Sequence, residues 1–183
     1  MNGGIRMDQQ ILEETKQEAQ NLISENRISE ALPLIRQLAH WGDLNSQKEL
    51  IEIYYNHKYG FERNLPAAFE YARLAAMNQD TDAMVLLAQL LMEGKGCRKD
   101  LQTALYFLNK AADAGNVHAL DELSMIYLKG IDEPRDLSMA SRLIEKAADL
   151  LRDHPEDTES YRKLNDQVKS HQQLIEKYSR RFS

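Results

Sequence analysis

The stretch Gly94-Lys95-Gly96 has the composition of a phosphate-cradling loop, in which glycines let backbone N–H groups approach an anion and a lysine adds charge. The spacing does not fit: residues 94–96 lack the G-x4-G-K-[ST] pattern and no strand precedes them. Cys97, the single cysteine, follows directly. A nucleophilic thiol needs a base and an electropositive niche. Arg98 and Lys99 supply charge, but no spacing brings a histidine close, so Cys97 is expected to pack. The five histidines, His40, His57, His118, His154 and His171, form neither an H-x-x-x-H nor an H-E-x-x-H pair, so they provide no metal ligand set. The carboxylate pairs Glu13-Glu14 and Asp121-Glu122 are adjacent, diverge on a helix and read as solvated charge. No catalytic, cofactor-binding or metal-binding residue is therefore assigned, and no cofactor is expected.

Charge and composition narrow the partners. The formal net charge is −6, with 23 basic and 29 acidic residues interspersed. A nucleic-acid backbone needs clustered Lys and Arg, and pairs such as Arg98-Lys99 and Arg180-Arg181 are too small a footprint, so no nucleic-acid partner is expected. No stretch reaches the roughly 18–20 continuous apolar residues of a membrane span. One cysteine allows no intrachain disulfide, and the opening MNGGIRMDQQ has no apolar signal core. Both suit a cytoplasmic protein.

The elements that must position any surface emerge from a repeat. A shift of 36 overlays Ala68, Ala104 and Ala140, the doublets Ala75-Ala76, Ala111-Ala112 and Ala147-Ala148, and Leu65, Leu101 and Leu137. It also pairs Leu87 with Leu123, Leu90 with Ile126 and Gly94 with Gly130. One copy earlier the register is 37, which brings in Leu50, Ile53 and Tyr54, with one extra residue in the loop 57–63. Each unit carries two amphipathic helical stripes. Asp100 and Asp136 are placed to cap the second helix, and Gly115 to end it. Small alanines at fixed positions let neighbouring helices approach closely.

The segments AMVLLAQLLMEGKGCRKDLQTALYFLNKAADAG (83–115), ALDELSMIYLKGIDEPRDLSMASRLIEKAADLL (119–151) and, more loosely, SQKELIEIYYNHKYGFERNLPAAFEYARLAAMNQ (46–79) resemble the Sel1-like repeat family, a relative of the tetratricopeptide repeats. Ile51, Ala88 or Ser124 replaces the family's glycine after the leucine, and Cys97 stands where valine is usual. The resemblance implies an all-α, right-handed α-α solenoid of four helix pairs with a long C-terminal helix. Residues 1–7 read as a disordered start or tag, 8–42 as a tetratricopeptide-like cap pair and 43–152 as three Sel1-like repeats. Residues 153–183 read as a capping or interaction helix. In the cap pair, Pro33 requires Ser29 as N-cap to fall early in its helix.

In such solenoids the first helix of each pair lines the concave face. Two columns remain there once core positions are removed: Glu52, Gln89 and Met125, and Tyr55, Met92 and Leu128. They read either as packing between repeats or as a stripe receiving an apolar peptide or helix, with methionine as adaptable contact. Along the C-terminal helix, Tyr161, Leu164, Val168, Ile175 and Tyr178 share a heptad stripe with His171 and Phe182. Its distal half extends beyond a two-helix repeat, which leaves it open to self-association or to filling the protein's own groove. The resemblance implies a bacterial adaptor that binds a partner protein or peptide and is not an enzyme. An inhibitor or immunity-type protein neutralising a toxin is the alternative. The β-lactamase-like hydrolases of the family are cysteine-paired secreted chains, unlike this one.

Overall fold

In the computed structural model, which describes residues 9–131, 134–153 and 159–182, local capping signals repeat as regularly as the hydrophobic pattern. The helices are α1 (Gln9–Ser24), α2 (Ile28–His40), α3 (Leu44–Tyr55), α4 (Leu65–Met77) and α5 (Thr81–Glu93). They continue as α6 (Leu101–Asp113), α7 (Val117–Lys129), α8 (Leu137–Asp153) and α9 (Glu159–Phe182), and a 3-10 turn spans Lys58–Gly60. No strand occurs among the described residues. Asn64, Asp100 and Asp136 accept the N–H of Ala67, Thr103 and Met139, and Asp43, Asp80 and Asn116 accept that of Ser46, Ala83 and Ala119. A short polar side chain thus opens six of the helices at the repeat period, satisfying a donor that has no partner inside the helix.

Loop closure repeats too. The N–H groups of Asn64, Asp100 and Asp136 donate to the carbonyls of Tyr54, Leu91 and Tyr127 at 2.9, 3.0 and 3.0 Å. Equivalent helix ends turn through the left-handed region at Gly42, Gln79 and Gly115 and again at His57, Gly94 and Gly130, with φ between 59° and 93°. Gly115 therefore ends α6 as expected.

The chain divides into two units, each with its own packing. The first holds α1 to α4, α5 as far as Ala83, and the loop residues Lys95–Cys97. Its core joins Ile35 and Leu38 of α2, Leu50 and Ile53 of α3, and Ala68, Ala72 and Ala75 of α4, all 2% exposed or less. Buried Gln47 donates to the Ala39 carbonyl and accepts from Asn78, linking α2, α3 and the end of α4 through satisfied polar groups. Tyr54 stacks on Tyr71 with ring centroids 6.0 Å apart, while Arg36 donates to the Tyr54 hydroxyl. The helix of Pro33 departs from expectation. It begins at Ile28, Arg27 precedes it without a side-chain cap, and Pro33 lies inside it. Ser29 is therefore not the N-cap.

The second unit holds Met84–Gly94 and Arg98 onward. Ala104, Leu108 and Ala111 of α6, Leu120 and Leu123 of α7, and Ala140, Ile144 and Ala147 of α8 form its core, each 1% exposed or less. The long helix α9 packs on α8 and α7. The expectation for residues 1–7 falls outside the described residues.

Candidate partner-binding cleft

Asp121 and Glu122 are not ordinary solvated charge. The helical pitch of α7 carries Asp121 to the α9 side, where it is 1% exposed. There Gln167 Nε2 donates to Oδ2 and His171 Nδ1 to Oδ1, both at 2.6 Å. A carboxylate only accepts, so His171 donates through Nδ1. His171 is thus the polar break in the α9 stripe because it meets a buried acid on α7.

Glu122, one residue on, faces α5. Its Oε1 accepts from Gln89 Nε2, while Oε2 is buried without a hydrogen-bond partner. Beside it α5, α7 and α9 enclose a cleft of about 330 Å³. Gln89, Met92 and Glu93 line it from α5, Glu122, Met125 and Lys129 from α7, Gln167 and His171 from α9, with Ile131 at the edge. Burial pushes the Glu122 carboxyl above its ordinary range, and repulsion from Asp121 and Glu93 adds to this, while the Gln89 N–H opposes it.

That direction sets a pH dependence. Below the ordinary value of 4.5 both the folded and the unfolded chain hold the proton and Glu122 costs nothing. As pH rises from there through the raised folded value, the unfolded chain has lost a proton that the folded one keeps, so stability falls. Above the folded value the cost is fully present. Glu122→Gln, which cannot ionise, is therefore expected to stabilise the protein by about 1 kcal/mol at pH 7. The gain should vanish below pH 4.5. Urea denaturation across pH checks this, and a gain independent of pH would refute the electrostatic account.

Three of the six column residues, Gln89, Met92 and Met125, meet in this cleft, each half-buried. Leu128 does not: it is 3% exposed and presents no surface, so it is corrected to a packing residue. Glu52 and Tyr55 belong to the first unit. Glu52 is exposed and accepts from Asn56, and Tyr55 lies under the Arg63 guanidinium, 5.3 Å from the ring centroid. Along the α9 stripe Val168 and Ile175 are 0% and 1% exposed, so these two are covered within the chain and present no surface for self-association. Leu164 is half-buried, and Tyr178 takes the Arg135 guanidinium 5.2 Å from its ring centre. The side chain of Tyr161 lies outside the described residues.

Sequence reasoning missed Glu93, Glu122, Gln167 and His171. A signal was present in the repeat register, where Val85 corresponds to Asp121 and Leu86 to Glu122: acids replace apolar residues of the preceding copy. Elsewhere, partial burial pushes the Cys97 thiol up, away from the thiolate a nucleophile needs. A Ser-x-x-Lys spacing occurs at Ser160 and Lys163, but the Lys163 ammonium pairs with Glu159 at 2.6 Å on an exposed face. Among the described residues no group of three or more His, Cys, Asp or Glu is arranged to hold a metal ion, and no helix is long and apolar enough to cross a membrane.

The sequence pattern of the Sel1 repeat matches residues 55–80, 81–116 and 117–150, slightly more than half of the chain. The fold is similar to that of a Sel1 repeat protein from Oxalobacter formigenes, with a TM-score of 0.57 at 18% identity, over 78% of this chain and 64% of that one. It is also similar to a protective antigen present in uropathogenic Escherichia coli strains that displays an SLR fold. There the TM-score is 0.53 at 22% identity, over 82% of this chain and 37% of the antigen. The chain thus spans less than two thirds of the length of either protein. No curated protein is significantly similar to it.

Proposed function

The chain belongs to the Sel1 repeat family, an all-α solenoid family generally used for protein–protein interaction, and on that premise we propose that it is an adaptor whose second unit captures a segment of a partner protein in the cleft between α5, α7 and α9. The observation that carries this reading is the cleft's composition. Two half-buried methionines and an edge isoleucine supply adaptable apolar contact beside a carboxylate oxygen that no group among the described residues satisfies. Such a mixture suits a peptide segment, which brings both apolar side chains and donors. Glu52 and Tyr55 are read as separate partner contacts of the first unit. The reading also places the protein in the cytoplasm, which a single cysteine, allowing no intrachain disulfide, supports.

A displayed library of random 12-residue peptides, selected on the full chain, tests the proposal. Selected peptides are expected to bind Met125→Glu about tenfold or more weakly. They should bind Tyr106→Ala, altered at a 56% exposed residue of α6, as well as wild type. Circular dichroism verifies that both variants fold. Equal binding to Met125→Glu would remove the cleft from consideration.

A further inference from the structure

Among the described residues, two buried side-chain oxygens lack a hydrogen-bond partner, Glu49 Oε1 and Glu122 Oε2, and they stand at the same position of the repeat. The register that pairs Leu50 with Leu87 and Leu123 places Glu49 with Leu86 and Glu122. The left-handed helix ends at His57, Gly94 and Gly130 carry that register one residue further and match Lys58 with Lys95 and Ile131. In the first unit the carboxylate at this position is neutralised from within: Lys58 Nζ lies 2.7 Å from Glu49 Oε2. The lysine is presented by the loop that turns through the left-handed region at His57 and Tyr59. In the α7 copy the carboxylate is present and the lysine is not. Ile131 occupies that place, 39% exposed, at the edge of the cleft. Lys129 also lines the cleft, yet Glu122 Oε2 remains without a partner.

We infer that the cleft takes a lysine side chain from the partner, its ammonium bonding Glu122 as Lys58 bonds Glu49 and its methylene stem lying against Ile131 and Met125. The inference rests on the partner-binding reading above and adds the chemistry of the guest. Three further features favour a cation. Glu93 lines the same cleft from α5. The Asp121 carboxylate beside it is already satisfied by Gln167 and His171, so the unmet demand falls on Glu122. A lysine stem is apolar for four carbons, which suits a site whose walls are methionine and isoleucine and whose end is a carboxylate.

The test uses peptides selected as above on the full chain. Ile131→Lys installs the missing lysine at an exposed position. It is expected to pair with Glu122, fill the cleft and weaken peptide binding about tenfold or more, whereas Ile131→Leu leaves binding unchanged. Glu122→Gln, and norleucine in place of the peptide's lysine, are each expected to weaken binding about ten- to hundredfold and to lower its salt dependence. Applied together, the two changes should cost little more than either alone. Circular dichroism verifies the fold of each variant. Peptides that depend on Met125 but bind Glu122→Gln and Ile131→Lys as they bind wild type would overturn the lysine assignment and leave the cleft standing. The absence of any Met125-dependent peptide would overturn the partner-binding reading itself.

Discussion

Replacing Gly96 by alanine is expected to destabilise the first unit by about 3–5 kcal/mol. Two costs add. Gly96 has φ +75°, a conformation that L side chains adopt reluctantly, and an added Cβ would lie 2.2 Å from the Leu65 carbonyl oxygen, 2.4 Å from its carbon and 2.8 Å from the Pro66 nitrogen. These neighbours are backbone at the first turn of α4, where the proline ring fixes φ, so they cannot swing aside as a side-chain tip would. Gly42→Ala and Gly60→Ala serve as controls: φ is +93° and +77°, but nothing lies within 4 Å of the added atom. Each should cost only about 1 kcal/mol. Urea midpoints and slopes for the three variants separate conformational cost from contact. A Gly96→Ala loss no larger than that of the controls would contradict the close approach. The second glycine of the Gly94-Lys95-Gly96 stretch is thus explained by the backbone against which it packs, without any anion.

Asp121→Val, which installs the residue of the preceding repeat, is expected to cost about 2–4 kcal/mol. Its main effect should be a loosening of α9. The substitution removes the acceptor for both Gln167 Nε2 and His171 Nδ1, each at 2.6 Å. Those donors would be left facing an apolar side chain, and the polar link between α7 and α9 would be gone. Val168 and Ile175 would still bury their side chains, so α9 should loosen rather than detach. Hydrogen–deuterium exchange should quicken by about tenfold or more across residues 162–179, with the first unit unchanged. Asp121→Asn keeps one acceptor oxygen and should give an intermediate result. Unchanged exchange in α9 would show that apolar packing alone holds the helix.

Much of the architecture is legible in the sequence, because its determinants are local and repeated. The alanines at 68, 104 and 140 recur because helices approach closely there, and each is fully buried. Asp100 and Asp136 accept the N–H groups they were expected to, since a cap reaches only three residues along its own chain. The failures share a different cause. Pro33 lies inside α2 although propensity places it in a first turn, because burial of Ile28, Ala31, Leu32 and Ile35 holds the surrounding helix. The repeat register puts Leu128 in one column with Met92, yet it is buried whereas Met92 is only partly so. Repeat register states which positions correspond but not what packs over each copy.

The sequence by itself determined the helix pairs, their caps and their period, because hydrogen bonding over three or four residues and a 3.6-residue apolar stripe are written in neighbouring positions. It did not determine the fate of Asp121 and Glu122, adjacent acids that look alike in the chain. Only the tertiary structure decided that α9 supplies two donors to the first, while the second keeps an unmet oxygen in a cleft. The partners that make the difference lie 33 to 50 residues away. The electrostatic character of a buried carboxylate depends on those partners and on the water removed around it, neither of which is encoded next to it in the chain.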